Sequence, residues 1–324
     1  MKISVDGGAL NPENDQRFGT AVFSENIVSA LKLYDKNNQY FIYTFENLKP
    51  KLFWMKGRVS LEEFKQKKDI FLALNQAVPL YTSGKIISFC HGLSYYFYPQ
   101  FYSKKDYIRL NKQLNEMIKR SDYIVVSSEK IKKELILIYR YIERKIVVIP
   151  FGIPLEMMDK PTFAKASHFA PGASRDKSVG KGKYFIFVGM DHKIKNIEFI
   201  KKAFRKFREL KEFRSYKLIL VTENCSRKKL RLLYKNATAL LTASHYESFN
   251  FPVLEALSQG CPVIGLSSAI IPEFISYVNS ANNVEEFVEK MKKISKKPST
   301  QSINQLHKKF NWKNYVKNLV KLYK

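Results

Sequence analysis

Runs of β-branched and aromatic residues alternate with amphipathic stretches along most of this chain, and the alternation breaks off once and then restarts. Strand and helix patterns in alternation argue for a parallel α/β sheet, and the restart argues for two of them. In the first run, residues 2–6 read as a strand that Gly7-Gly8 ends. Gly19-Thr20 then opens an amphipathic helix to about Tyr34, with Ala21, Val22, Ile27, Val28 and Leu31 on one side. Further strands are predicted at 40–45, 86–90, 123–127 and 145–149, with helices at 106–120 and 129–141. Residues 159–183 are turn-rich and poorly periodic, the composition of a linker. Beyond them, strands are predicted at 184–188, 217–221, 239–242 and 262–265. Helices are predicted at 195–210, with Ile197, Ile200, Phe204 and Phe207 inward, and at 227–236. The tail is helical from Val284, and Phe310-Asn311-Trp312 begins a last helix whose residues Trp312, Tyr315, Val316, Leu319 and Val320 suit packing.

At 324 residues the chain is long for a single core, so two domains are expected. No apolar run reaches the length of a transmembrane helix, and Met1-Lys2-Ile3-Ser4-Val5-Asp6 reads as a first strand, not a signal peptide. Cys90, Cys225 and Cys261 are far apart and unpaired in spacing, which argues for a reducing cytosol and against a zinc site or disulfide framework. The net charge of +27, from 56 basic and 29 acidic residues, is extreme. Nucleic acid, an anionic membrane face and a lysine-biased proteome are the three readings. No nucleic-acid motif accompanies the charge, so the latter two are favoured.

The segment from Ser244 to Ile264 carries the chemistry. Glu247 and Glu255 stand eight positions apart with a helix N-terminus between them. Asn250 is the expected N-cap, Pro252 is tolerated in the first turn, and Gly260 is a natural stop. Glu247 therefore lies on the loop and Glu255 about one turn into the helix. The free N–H groups of Ser248, Phe249, Asn250 and Phe251, with the helix dipole, favour phosphate. Two carboxylates that accept from hydroxyls, beside a phosphate cradle, suit a sugar-nucleotide.

The string Y-E-S-F-N-F-P-V-L-E-A-L-S-Q-G-C-P-V-I resembles the double-glutamate segment of family-4 (group 1) retaining glycosyltransferases of the GT-B fold. The resemblance implies two Rossmann-like parallel-sheet domains facing across a cleft. It assigns 1–158 to an acceptor-side domain, 159–183 to the linker and 184–310 to the donor domain, with a C-terminal helix at 311–324 packing back on the first. It implies that Glu255 holds the donor ribose and that Glu247 lies by the donor sugar hydroxyls. Val188-Gly189-Met190-Asp191-His192-Lys193-Ile194-Lys195-Asn196 looks like the family's V-G-x-x-x-x-K-N segment, which implies that Lys195 binds the diphosphate beside Gly189. Many members carry an Arg where this chain has Met190 or Ile194, and Lys193 is the candidate substitute. His91, ending a strand before Gly92, is implied near the donor sugar, and Gly19 in a loop that approaches donor phosphate or acceptor, with Arg17 beside it. Residues 125–129 and 148–153 match family segments but are explained as fold markers. Glu273, after Pro272, either contacts donor or starts a helix. The chain is short for the family: between Val221 and Ala239 there is room for one helix, where relatives usually have an additional helix, strand and loop that help form the base pocket.

The expectation is a retaining, metal-independent hexosyltransferase with Glu247, His91 and Lys195 catalytic. It would use a nucleotide-diphosphate sugar as co-substrate, with no other cofactor. The acceptor would be a glycan or lipid-linked molecule in cell-surface polysaccharide or glycolipid assembly. The location would be cytoplasmic, with peripheral contact at the inner face of the plasma membrane left open and nucleic acid disfavoured. The alternative is a non-catalytic nucleotide-sugar-binding or scaffold protein of a glycan-assembly complex.

Overall fold

A computed structural model describes residues 1–10, 19–158, 182–223, 225–296 and 303–324. Two parallel sheets make up the molecule. The first half runs β1 (Lys2–Asp6), α1 (Gly19–Tyr34), β2 (Gln39–Tyr43), α2 (Ser60–Lys65), β3 (Ile70–Ala73), β4 (Lys85–Cys90), α3 (Ser94–Phe97), α4 (Lys104–Arg120), β5 (Tyr123–Val126), α5 (Glu129–Ile138) and β6 (Ile146–Val148). The second runs β7 (Tyr184–Val188), α6 (Ile197–Glu209), β8 (Lys217–Val221), α7 (Arg227–Asn236), β9 (Ala239–Thr242), α8 (Phe251–Ser258), β10 (Val263–Leu266), β11 (Asn279–Ala281) and α9 (Val284–Lys296), followed by α10 (Ile303–Lys309) and α11 (Trp312–Val320).

The strand orders are β2-β1-β3-β4-β5-β6 and β11-β10-β9-β7-β8. Each sheet therefore reverses direction once, between β1 and β3 and between β7 and β9. Crevices outside the carboxyl ends of strands open at such reversals. His91 and Gly92 follow β4, Gly189 follows β7, and the double-glutamate loop follows β9, so the topology gathers the singled-out segments at these edges.

Several elements depart from the sequence reading. β3 is missing from it, although all four of its residues are buried and it is the neighbour that joins β1 to β4. A four-residue run buried on both faces has no alternation to betray it. β11, also missing from it, is shorter still at three residues and, unlike β3, mostly polar. The helix predicted at 129–141 ends at Ile138, and residues Arg140–Lys145 tighten into a 3-10 turn. The strand predicted at 40–45 ends at Tyr43. The predicted linker lies outside the described residues except for Gly182 and Lys183. Those two lead into the interior strand β7, since Gly182 N–H donates to the carbonyl of Asn236 at the end of α7 (2.7 Å) and the Lys183 carbonyl accepts from Lys217 N–H (3.0 Å). One helix, α7, occupies the interval between β8 and β9, and the second sheet has five strands.

The last helix crosses back to the first half. α11 packs along α1, and Trp312 Nε1 donates to the Ile153 carbonyl at 3.0 Å. Tyr40 and Tyr323 hydroxyls meet at 3.3 Å, and Lys85 reaches the Lys324 carbonyl at 2.8 Å. Gly152 is required by this crossing: a Cβ there would lie 2.6 Å from the Trp312 ring and 2.7 Å from its backbone nitrogen. The Gly152→Ala variant should accordingly lose about 1–3 kcal/mol by overpacking, and Trp312→Ala about 3–5 kcal/mol. Urea denaturation followed by circular dichroism checks both, and an unchanged midpoint for Gly152→Ala would show that α11 can shift freely.

Candidate functional site

The two edges enclose a continuous cleft. One chamber, of about 510 Å³, is lined by Ala9, Gly19 and His91 from the first half and by Gly189, Met190, Lys195 and residues 247–252 from the second. The other, about 340 Å³, shares Gly19, Gly189, Phe251 and Pro252 with it and extends to Val188, Val221, Glu223, Arg227 and Glu255. Glu247, from the loop, and Glu255, a turn into α8, thus open into adjoining chambers.

The loop between them is built by its side chains. Phe249 and Phe251 are buried against Phe151, Phe251 stacked on it at 5.2 Å between ring centroids and Phe249 tilted at 4.7 Å; Phe151 in turn meets Phe23 of α1 at 4.6 Å. Their contribution to the cleft is backbone. Asn250 does not cap α8 with its side chain, contrary to expectation. It sits in the left-handed region at φ 68° and donates from its amide to Thr242 Oγ1 (3.2 Å), tying the loop to β9. Left-handed backbone suits Asn among non-glycine residues. Since no side chain caps the helix, the N–H groups of Ser248, Phe249, Asn250 and Phe251 find no acceptor among the described residues. Free donors at a helix start are an anion site when something independent also faces it, and here Lys195 does.

Lys195 Nζ lies 2.7 Å from Glu247 Oε1, and the Ser244 hydroxyl donates to the same oxygen at 2.7 Å. An ammonium has three donors, so one is engaged and the others remain for a ligand oxygen. Lys195 is not on the helix, as its sequence position suggested. It ends a 3-10 turn, Lys193–Lys195, and left-handed Asn196 separates it from α6. Lys193, the expected stand-in for the missing Arg, is exposed and absent from the cleft lining. The second cation comes instead from Arg227, which sequence reading missed. Its guanidinium is 2.5 Å from Glu255 Oε1 and 2.9 Å from Glu156 Oε2, while the Tyr234 hydroxyl donates to Glu255 Oε2 at 3.1 Å. Burial works against the guanidinium charge, yet the two carboxylates hold its pKa above the ordinary value. Arg227 lies at the first position of a basic helix, R-K-K-L-R, where nothing in the string separates it from its neighbours.

Across the cleft, the first half clamps the loop. Ser128 Oγ donates to the Ser248 carbonyl (2.8 Å) and Lys130 Nζ to the Glu247 carbonyl (2.9 Å). The Tyr246 hydroxyl accepts from Leu93 N–H (2.8 Å) and donates to Glu134 (2.6 Å). Lys130 lies 3.9 Å over the Tyr246 ring, and its burial lowers its pKa against the pull of Glu134 and Glu247. Glu273 of the second half accepts from Glu129 N–H at 2.8 Å, so it serves the start of α5. Residues 127 and 128, explained above as fold markers, are therefore contacts of the loop itself. Gly92, with φ 120°, permits the approach: a Cβ there would fall 2.7 Å from Ser248 Cβ. Gly19 is different, since a Cβ on it would meet nothing within 4 Å; it faces open cleft. Arg17 lies outside the described residues.

His91 reaches the larger chamber as a neutral ring. Its Nε2 is 2.5 Å from the Leu74 carbonyl, which can only accept, so Nε2 carries the proton and Nδ1 is an acceptor. Burial pulls the pKa down to about 4 despite that carbonyl. With the folded value below the ordinary 6.5, the unfolded chain binds more protons between these limits. The folded state then loses stability as pH falls through that window, by at most about 3 kcal/mol. Nearby Asp6, pushed up to about 6 by burial, acts in the opposite sense, so the measurement is a difference. Urea midpoints of wild type and His91→Gln at about pH 7 and about pH 4 should show wild type losing more on acidification. An equal loss would mean the ring is protonated in the fold.

Two family models match this chain. The model described as "Glycosyl transferases group 1" matches residues 211–315, and that described as "Glycosyltransferase Family 4" matches residues 50–157. A probable sucrose-phosphate synthase of Thermosipho melanesiensis is 25% identical over 243 residues, covering 63% of this chain; the chain spans 55% of that relative's length. Among solved structures, sucrose-phosphate synthase from Thermosynechococcus elongatus superposes with a TM-score of 0.67 at 16% identity, covering 99% of this chain and 98% of its own. Anabaena HepE in complex with UDP and glucose gives 0.66 at 11%, covering 99% of each. The lipopolysaccharide outer core galactosyltransferase WaaB, in its apo form, gives 0.59 at 17%, again covering 99% of each. With one family model in each half of the chain and two parallel sheets meeting across a cleft, this chain belongs to the family-4, group 1 glycosyltransferases of the GT-B fold.

Proposed function

We propose that this chain is a retaining glycosyltransferase that moves a hexose from a nucleotide-diphosphate sugar to a glycan or lipid-linked acceptor without a metal ion. The observation that carries the reading is the convergence, on one cleft, of Lys195, the unused N–H groups of residues 248–251, Glu247 and the neutral His91. In this reading the acceptor hydroxyl oxygen bonds to the anomeric carbon as the bond from that carbon to the diphosphate breaks. The hydroxyl proton leaves with the diphosphate oxygen. The electrostatic demand is the negative charge developing on that oxygen, which Lys195 and the preset N–H donors are suited to meet. The positive counter-charge that the protein itself offers there is what supports the metal-free reading.

Glu247 orients sugar hydroxyls, and it also holds Lys195 in place. Glu255 anchors the ribose: Arg227 and Tyr234 use two of its acceptor sites, and an ionised carboxylate has about four. His91 offers Nδ1 as an acceptor on the sugar side. Ser128, through the Ser248 carbonyl, sets the peptide plane that aims the N–H of Phe249. HepE is solved with UDP and glucose, so UDP-glucose heads the donor panel.

Donor hydrolysis measured on UDP-, GDP- and ADP-sugars, with a chelator present, should release one nucleotide slowly. Glu247→Ala and Lys195→Ala should each cut that release by about 10²–10³-fold. Undiminished release from Glu247→Ala would remove this carboxylate from the mechanism. Binding of a donor without release, unaltered by any acceptor tried, would favour a nucleotide-sugar-binding scaffold, the reading that the five-stranded second sheet keeps in play.

Ser128→Ala separates positioning from packing. Loss of one hydrogen bond should lower turnover about five- to tenfold with little change in donor affinity, and Ser128→Thr should restore it. Equal losses in affinity and turnover, unrescued by Thr, would indicate that Ser128 only supports the fold.

A further inference from the structure

The first half carries an exposed apolar surface that the cleft does not use. Six of the seventeen large apolar side chains left exposed among the described residues fall between positions 52 and 81. Phe53, Leu52, Phe64 and Leu80 are 75, 73, 68 and 63% exposed. Exposed single apolar residues are ordinary, but a contiguous group of protruding ones marks an interaction site.

The group is contiguous and held rigidly. Residues Trp54–Val59 form a π-helical turn that runs directly into α2. Phe53, Gly57, Leu61 and Phe64 follow one another at spacings of four, four and three, which places them along one side. Gly57 N–H donates to the Phe53 carbonyl at 2.5 Å, consistent with that row. The opposite side is core: Trp54 and Val59 pack with Phe71 and Ile86. The strap carrying Leu80 and Tyr81 is fastened beside the row. Leu80 N–H donates to Ser60 Oγ at 2.8 Å, Thr82 Oγ1 to buried Glu63 at 2.6 Å, and the Phe64 and Tyr81 rings sit 5.5 Å apart.

The surroundings are cationic. Residues 49–68 hold seven basic side chains against two acidic ones; Lys68 and Glu63 are buried, which leaves six cations and one carboxylate toward the surface. Arg120 at the end of α4 donates to the Pro79 and Leu80 carbonyls, adding a further cation at the strap. No helix among the described residues is long and apolar enough to cross a membrane. Protruding Phe and Leu side chains ringed by Lys and Arg fit a surface that is negative outside and apolar just beneath, which is an anionic lipid bilayer. An acidic partner without an apolar face of its own would satisfy the charge and leave the rings in water.

We propose that the face formed by Phe53, Leu61, Phe64, Leu80 and Tyr81 docks this protein on anionic membrane, with the aromatic rings entering the headgroup layer. Trp54, on the buried side of the same turn, lies close to Gly8, whose neighbour Ala9 lines the larger chamber. The docking does not rest on the transfer reading and is measured without it.

Flotation of the full chain with vesicles tests it, using phosphatidylcholine alone and equal parts phosphatidylcholine and phosphatidylglycerol. Wild type should float with the mixed vesicles and weakly with the neutral ones. A double variant, Phe53→Asn and Phe64→Ser, should lose at least about tenfold in partitioning with an unchanged thermal melt; Asn is chosen at 53 because that residue has φ 53°. A charge control on the second half, Lys201→Gln with Lys293→Gln, should bind as wild type. The Phe53→Trp variant should shift its emission to the blue on mixed vesicles, since both native Trp residues are buried. Equal binding by the double variant, or a loss in the charge control as large as in the double variant, would overturn the proposal. So would retention on poly-glutamate that the double variant loses while neither wild type nor any variant floats with vesicles, because the face would then take an acidic polypeptide.

Discussion

The Ser248 peptide is the point on which the rest of this molecule turns. Its carbonyl accepts from Ser128 of the first half at 2.8 Å, while the N–H groups that follow it line the cleft. A peptide unit is planar, so fixing a carbonyl fixes the N–H of the next residue. Ser128 Oγ is itself shared, since it also accepts from Ile131 N–H as the cap of α5. The rigid start of a first-half helix thereby sets the direction of a donor in a second-half loop. The aromatic column Phe23, Phe151, Phe251 and Phe249 reinforces the same junction from the apolar side. The two sheets are bound through the loop that forms the site, which makes the site's geometry a property of their closure.

That coupling explains how a cleft can hold two buried carboxylates around the free N–H groups at the start of α8. Each has its own cation, Lys195 for Glu247 and Arg227 for Glu255, so neither carboxylate's charge is left bare beside the free N–H groups. Buried pairs of this kind cost desolvation and do little for stability. Their value lies in holding acceptors and donors at fixed places before a ligand arrives, so that little reorganisation is needed when it does.

How much of this was legible depended on whether the signal was local. The alternation of strands and helices, the end of β7 at Gly189, and the loop–helix arrangement around Glu247 and Glu255 follow from period and turn chemistry, and the sequence conveys them. The single helix between β8 and β9 is likewise readable from that interval, whereas β11, three mostly polar residues, was not. β3 was not, because four apolar residues without alternation carry no phase. Arg227 was not, because its role is fixed by Glu156 and Glu255 arriving from other segments, and one arginine in a basic helix looks like the next. Asn250 misled for a related reason: its residue type fits an N-cap, but β9 offered its amide a better partner in Thr242. Ser127 and Ser128 looked like an ordinary strand end, and only the approach of the second half, allowed by Gly92, gives them an object.

The surplus charge now has a location. Within the cleft the described cations are matched: Lys195 and Arg227 face Glu247, Glu255 and Glu156. A net charge of +27 therefore cannot be an attribute of the site; it belongs to the outer faces. On those faces most ion pairs are solvent-exposed and contribute little, so folding alone gives no reason for such an excess. Long-range attraction to a negative surface does give one, since each lysine near an anionic bilayer adds on the order of 1 kcal/mol that salt can screen. Charge alone would bring any side of the molecule to that surface. A row of protruding rings on one side gives the attraction an orientation, and with it a defined position for the cleft mouth.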